Sequence, residues 1–473
     1  MSLFLLLALG AVAAPPDAGL NIPFEKYELA NGLDVILAPD RSTPIVHVNV
    51  WYHVGSKDET TGLTGFAHLF EHLMFQGSPS SPGEYFKVME EIGADLNGTT
   101  SFDRTNYYET VPAQYLPAAL FLESDRMGWL LQTLDQGKLD NQRDVVRNER
   151  RQRYENPPYG EANQTLYAAT WADSHPYHHM PIGTHEDLQN ASVDAVAAFF
   201  KTWYSPDNAS LVIAGDFDPA VAKSLVEQYF GPIAKGPART RPAVAPVPLA
   251  KNVEIRQYDD VPEQKVWLAY QSPPAMKPGD AELDLLSYIL SDGKDSRLYY
   301  RLVKEKGVAK DVIARQGSLM LGSTFIIQAT AAKGHTTDEV VAAIDEVIAE
   351  ILGPKAPTAE EIDAARAGFE VGYFAELQTI ASKGDMLNRY NYMAGDPGFL
   401  AQDLQRYRDA DPADVLAVAK DVLGKPRVAL YISPTAAQPA PAPEPVAAPP
   451  VDDGKKKKSK KEKKPKKTDG EVN

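Results

Sequence analysis

The sequence predicts an α+β fold of two homologous domains, each a largely antiparallel sheet packed with helices. Three observations predict it. Strand-like runs open two halves of comparable length, amphipathic helical stretches fill the middle of each, and a similar apolar strand closes each. The halves resemble one another in order and spacing, while residue-level identity between them is low.

Composition sets the bounds. The chain has 473 residues, 44% hydrophobic and 24% charged, ordinary values for a soluble globular protein. They exclude a wholly disordered chain, a collagen and a multi-span membrane protein. There is no cysteine, which removes disulfides, thiolate-held metals and thiol nucleophiles. Any metal must be held by His and carboxylates, and nine His are present. The net charge is −16 although residues 455–467 carry ten Lys against one Glu, so the body is more acidic than the total. An acidic body argues against nucleic-acid binding, which needs a basic surface to displace counterions.

Residues 1–13 read as a signal peptide: an apolar run too short to span a bilayer, ending in the small-x-small site Ala11-Val12-Ala13. No Lys or Arg precedes the run, which leaves a short anchor as the alternative. The expected location is secreted or periplasmic. Residues 20–230 form the first domain. There Asn31-Gly32 signals a hairpin between Tyr27–Leu29 and Val35–Leu37, Ile45 to Val54 is rich in β-formers, and Ala209 to Ala214 closes the unit. Residues 231–251 contain five prolines and read as a linker. The second domain, 252–435, opens with Val253–Tyr258 and Lys265–Tyr270 and closes with Arg427 to Ile432. Residues 436–473 are an Ala/Pro-rich then Lys-rich tail, read as solvated and disordered, with contact to an anionic surface as the functional alternative.

The sharpest feature is His68-Leu69-Phe70-Glu71-His72. It lies in a stretch where Phe66, Leu69, Phe70 and Leu73 make a helical apolar stripe. Side chains at i and i+4 stand one above the other on a helix, so both imidazoles can reach one ion. Zinc accepts neutral imidazole and carboxylate and keeps one tetrahedral position open in a catalytic site. Glu71 is then the candidate general base. The third ligand must come from elsewhere, and Glu149 is the best candidate. In its segment Asp140 reads as an N-cap; Val145, Val146 and Glu149 share an apolar face, with Arg147, Arg150 and Arg151 pointing away. Taken alone, Glu149 could equally pair with a neighbouring Arg.

This inverted motif, with Glu149 in an Asn-Glu-Arg-Arg-Gln segment 77 residues beyond His72, resembles the pitrilysin/insulinase family of zinc metallopeptidases. The resemblance runs from residue 24 to about 433. It includes Gly62-Leu63-x-Gly65-Phe66-Ala67, Asn97-Gly98-Thr99-Thr100, Thr105-x-Tyr107, His175-Pro176-Tyr177 and Ser296-Arg297-Leu298-Tyr299. It implies one zinc per chain held by His68, His72 and Glu149, with Glu71 as base. It also implies a clamshell of which this chain is half, and peptide substrates paired to an edge strand at Asn97, Gly98, Thr99 and Thr100. By residue type alone, Asn97-Gly98 reads as a turn.

Three positions depart from the family pattern. The acidic residue seven positions before the third ligand is Gln142 here, which can orient a ligand but lacks the charge. The Arg and Tyr that the second half supplies near the substrate fall on Val303 and Lys310. The expectation is a zinc endopeptidase acting as one subunit of a heterodimer, in preference to a homodimer, with a homologous partner supplying the Arg/Tyr pair. The competing reading is a non-catalytic peptide-binding or assembly subunit that keeps the fold. His175, His178 and His179 form a second cluster, read as chamber-lining or structural rather than metal-binding.

Overall fold

The computed structural model describes residues 21–437 except 84, 242, 243, 245 and 246. The signal-like segment at 1–13 and the tail beyond 437 lie outside the described residues.

Among the described residues, eleven strands build two sheets. The first holds β1 (Glu25–Glu28), β2 (Asp34–Pro39), β3 (Ile45–Tyr52), β4 (Asp95–Thr100), β5 (Thr105–Pro112) and β6 (Ala209–Gly215), in the order β1-β2-β6-β3-β5-β4. The second holds β7 (Val253–Asp259), β8 (Lys265–Ser272), β9 (Ala309–Gly317), β10 (Ser323–Ala331) and β11 (Val428–Pro434), in the order β7-β11-β8-β10-β9. In each sheet the closing strand lies parallel to an opening strand, β6 on β2 and β11 on β7, and the other pairs are antiparallel. The duplication seen in the order of sequence elements is therefore a duplication of topology, with β1 as an extra strand on the first sheet. The Asn31-Gly32 hairpin forms, with Gly32 at φ 89, where a side chain would be strained.

Six helices build the site and join the two halves: α1 (Phe66–Leu73), α2 (Gln136–Arg150), α3 (Ala162–Thr170), α4 (Asp280–Ser291), α5 (Ala359–Glu376) and α6 (Ile380–Ala394). The main core of the first half buries Val46, Val48 and Val50 of β3 against Phe66, Leu69, Phe70 and Leu73 of α1. The corresponding core of the second half packs Val266 and Leu268 of β8 against Leu283 and Leu286 of α4, with Ile362 and Ala365 of α5 closing it. The opposite faces of the two sheets are covered by exchange. From the second half, α6 lays Met386, Leu387 and Tyr390 on Ile36, Ala38, Val212 and Ala214 of the first sheet. From the first half, α3 lays Ala162 and Leu166 on Trp267, Ala269, Val428 and Leu430 of the second.

The helix carrying Glu149 differs from its sequence reading. It starts at Gln136, and its N-cap is Asp135, whose side chain accepts from the Lys138 amide; Asp140 lies inside the helix, paired with Arg143. The buried stripe is Leu139, Gln142 and Val146, spaced by three and four, with Glu149 next in line. Val145 is one position off that stripe and is exposed. Arg150 is buried rather than turned outward, because it donates to the Gly183 carbonyl and to Gln164 and pairs with Glu155.

Candidate metal centre

Helix α1 begins at Gly65, whose φ of 88 and missing side chain leave the first helical amides without a local cap. A Cβ at Gly65 would stand 2.9 Å from the Ile182 carbonyl oxygen, so the close approach requires glycine. The cap comes from Glu59. Its buried carboxylate accepts from the Gly65 amide at 2.9 Å and the Ala67 amide at 2.8 Å. His179 completes this cap, with its Nε2 lying 2.9 Å from Glu59 Oε2. Sequence reading missed Glu59; the only signal was an N-cap position occupied by glycine. Further along α1, the Tyr204 hydroxyl donates to the Ala67 carbonyl.

So anchored, α1 turns His68 and His72 toward α2. Their rings stand 4.8 Å apart and nearly perpendicular, at 88°. Glu149 Oε2 lies 3.6 Å from His68 Nε2 and 3.2 Å from His72 Nε2, while Glu149 Oε1 takes an ion pair from Arg153 at 2.8 Å. One oxygen of the carboxylate thus faces the two imidazoles and the other the Arg153 guanidinium. Among the described residues this is the one group of His and carboxylates gathered closely enough to hold a metal ion, its ligand atoms all within 4.8 Å of one another.

The electrostatics suit a cation. Burial, followed by the neighbouring His72, pushes the His68 imidazole down to about 4, so it is uncharged at neutral pH. Burial alone would raise Glu149, but its bond from His72 and the charges of His68, His72 and Arg153 bring it below the usual carboxylate range. His68 Nδ1 is buried without a hydrogen-bond partner. Gln142 sits two turns before Glu149 on the same face and is buried, but its side-chain amide donates to Asn141.

Glu71 faces the edge strand. Thr100 Oγ1 donates to Glu71 Oε2 at 2.6 Å, and a Cβ at Gly98 would stand 3.1 Å from Glu71 Cγ. Burial raises the Glu71 carboxyl, against the lowering effect of the Thr100 bond and of His72. Strand β4 is the edge of its sheet, paired among the described residues with β5 alone, as the resemblance implied and the residue types Asn97-Gly98 did not. Strand alternation divides its residues: Gly98 and Thr100 lie against Glu71, while Asn97 and Thr99 point to the opposite face, where Thr99 Oγ1 donates to Asn106.

The second His cluster does not converge. His175 stacks on Trp171 with ring centroids 4.3 Å apart, His178 Nδ1 meets the Trp171 carbonyl, and His179 holds Glu59. In the second half, Val303 is partly buried against the core, and Lys310 on β9 pairs with Glu263 at 3.0 Å.

Comparison with known proteins agrees with this geometry. The family model described as "Insulinase (Peptidase family M16)" matches residues 34–180, which contain the whole triad, and the model described as "Peptidase M16 inactive domain" matches residues 190–369. A zinc protease of Helicobacter pylori, PqqE, is 28% identical, over 84% of this chain and 89% of its own. The crystal structure of a protease from the same organism superimposes with a TM-score of 0.80 at 26% identity, covering 88% of this chain and 100% of that one. The first half of the periplasmic protease PqqL from Escherichia coli has the same fold, with a TM-score of 0.69 at 20% identity over 87% of this chain and 92% of that one. The motif, the two matching domain models and the shared two-domain architecture place the chain in the insulinase (M16) family of peptidases.

Proposed function

We propose that the protein is a zinc-dependent endopeptidase that hydrolyses peptides or unfolded chains held as an added strand on β4. The observation that carries this reading is the convergence of His68, His72 and Glu149 with Glu71 beside them, facing an unpaired strand edge. Two imidazoles and a carboxylate match the donor set of a catalytic zinc site. Bound there, zinc supplies Lewis acidity that polarises a peptide carbonyl and acidifies a water. Glu71 takes the proton of the attacking water on Oε1, the oxygen Thr100 does not hold, and passes it to the leaving amine. The outer backbone groups of β4 hold the substrate extended, which tolerates many sequences.

The inactive-domain match, residues 190–369, includes none of His68, Glu71, His72 and Glu149, and leaves their catalysis to be tested. Metal analysis with peptide digestion tests it: the chain binds one zinc, and Glu71→Gln keeps the metal while losing about a thousandfold in rate, within the range for a general base. A metal-free chain, or an equally active variant, overturns it.

The same proposal extends to assembly and location. A homologous partner lacking the triad supplies an Arg/Tyr pair and closes a chamber over β4. The supporting observations are that Val303 packs inward, Lys310 is engaged with Glu263, and Arg301 is tied to Glu305, Glu346 and Glu350. Co-purification from native extract is the check, and a fully active homodimer overturns it. Export to the periplasm or beyond is supported by the signal-like segment, and by the description of the PqqL neighbour as periplasmic. No helix among the described residues is long and apolar enough to cross a membrane. The Lys-rich segment would meet an anionic surface, which deletion of residues 455–467 tests.

A further inference from the structure

The turn after the substrate-pairing strand is held by the second half of the chain. Residues 101–104 connect β4 to β5, and Asp103 in that turn is buried. Its Oδ1 accepts from the Tyr177 hydroxyl at 2.6 Å and its Oδ2 from the Met320 amide at 3.1 Å. The Tyr177 hydroxyl in turn accepts from the Leu321 amide at 3.0 Å. Met320 and Leu321 lie in the loop joining β9 to β10, so both amides come from the second half. From another side, the Tyr392 hydroxyl on α6 donates to the Asp103 carbonyl at 3.1 Å, and Lys57 Nζ donates to the same oxygen at 2.6 Å. Apolar contacts surround these bonds: Phe102 stacks on Tyr167 at 4.9 Å, and a Cβ on Gly322 would stand 2.7 Å from the Trp171 ring.

Thr100, which holds Glu71, is three residues before Asp103 in the same hairpin. An edge strand is bonded to the sheet on one side only, so its position depends on its ends. Resting on the peptidase reading above, we propose that Asp103 and Tyr177 are positioning residues. Through them the β9–β10 loop of the second half fixes β4 in the register that pairs extended peptides. The half without a triad then contributes to substrate binding by holding the strand rather than by touching the reacting atoms.

Tyr177→Phe removes the hydroxyl and leaves the ring packed against Phe102. Hydrogen exchange over residues 95–104 is measured in the wild-type and variant chains, together with zinc content and turnover of a fluorescent decapeptide and a tripeptide. The expected result is faster exchange confined to that segment and an unchanged zinc content. KM for the decapeptide rises about tenfold, the size expected for a lost buried hydrogen bond, with kcat and tripeptide turnover unaltered. Tyr392→Phe, which removes a single bond to the turn, shifts the same quantities in the same direction by less. Unchanged exchange and KM overturn the inference, as does a loss of zinc and kcat in step with KM. If the wild-type chain cleaves neither peptide, the peptidase reading fails, and exchange over 95–104 still decides whether the second half holds the strand.

Discussion

Thr100 Oγ1 lies 2.6 Å from Glu71 Oε2, so the strand that would pair with substrate also holds the carboxylate that would activate water. The bond stabilises the charged form of Glu71 against burial, which favours the protonated one. Thr100→Val therefore raises the Glu71 pKa. The acid limb of the kcat/KM profile moves to higher pH, and activity below neutrality drops about tenfold, hydrogen bonds to charged groups contributing roughly 1.5–3 kcal/mol. A pH–rate profile of the variant measures it.

Gln142, buried on the face of α2 that carries Glu149, predicts a gain of metal affinity by substitution. Groups around a ligand shell orient the rings and raise ligand basicity. Gln142→Glu adds a negative charge on the face of α2 that carries Glu149, and zinc binding tightens about tenfold, within the span such changes produce. Competition against a chromophoric chelator reads the difference.

Glu59 is the cap on which α1 depends. Glu59→Ala leaves the Gly65 and Ala67 amides and His179 without their common acceptor. The expected cost is about 3 kcal/mol, the upper range for orphaned buried donors, with weaker zinc binding because both candidate His ligands ride on that helix. Urea denaturation gives the first quantity and chelator competition the second.

Asp284 on α4 predicts a stability that falls as pH rises. Burial pushes its carboxyl up to about 7, with Asp280 adding to the effect and the Tyr407 hydroxyl opposing it. The folded chain holds this proton more tightly than the unfolded one, so the favourable term is complete below pH of about 4 and is lost as pH rises to about 7. Asp284→Asn keeps an acceptor for Tyr407 and removes the titration. It stabilises the chain at pH 8, by about 4 kcal/mol at most, and leaves stability at pH 4 nearly unchanged. Thermal melts at the two pH values decide it.

Two histidines, His47 buried and His53 half-buried, act in the opposite sense. Burial lowers His47 to about 4 and His53 to about 3. The unfolded chain takes up these protons first, at a pH of about 6.5. Stability is complete above that pH and declines through the window down to about 4 for His47 and about 3 for His53. Replacing both with Gln flattens the acid side of the stability profile, as urea midpoints between pH 4 and 7 would record.

The opening and closing strands were legible because β-structure writes an alternation or an apolar run into local sequence, as at Ile45–Tyr52 and Ala209–Gly215, whereas β4, β5, β9 and β10 were not read from residue pattern. The pair of imidazoles was legible for the same local reason, since one helical turn places both. Glu149 needed the family resemblance, because nothing local joins it to residues 77 positions earlier. Its helix begins before the predicted cap: Asp135 and Asp140 are both competent caps, and packing of Leu139 selects the first. Glu59 and His179 meet across 120 positions, a distance at which side-chain type carries no pairing information. Amphipathic helices at 162–170 and 380–394 announced a buried face without saying which sheet would bury it.

That exchange has a consequence for the chain as a folding unit. Without α6, the first sheet would present Ile36, Ala38, Val212 and Ala214 to water; without α3, the second would present Trp267, Ala269 and Leu430. Neither product of the duplication can be cut free and remain soluble, since each wears the other's outer layer. The interlock makes a single cooperative body of two repeats, and it keeps the repeat that carries His68, His72 and Glu149 from drifting away from its twin.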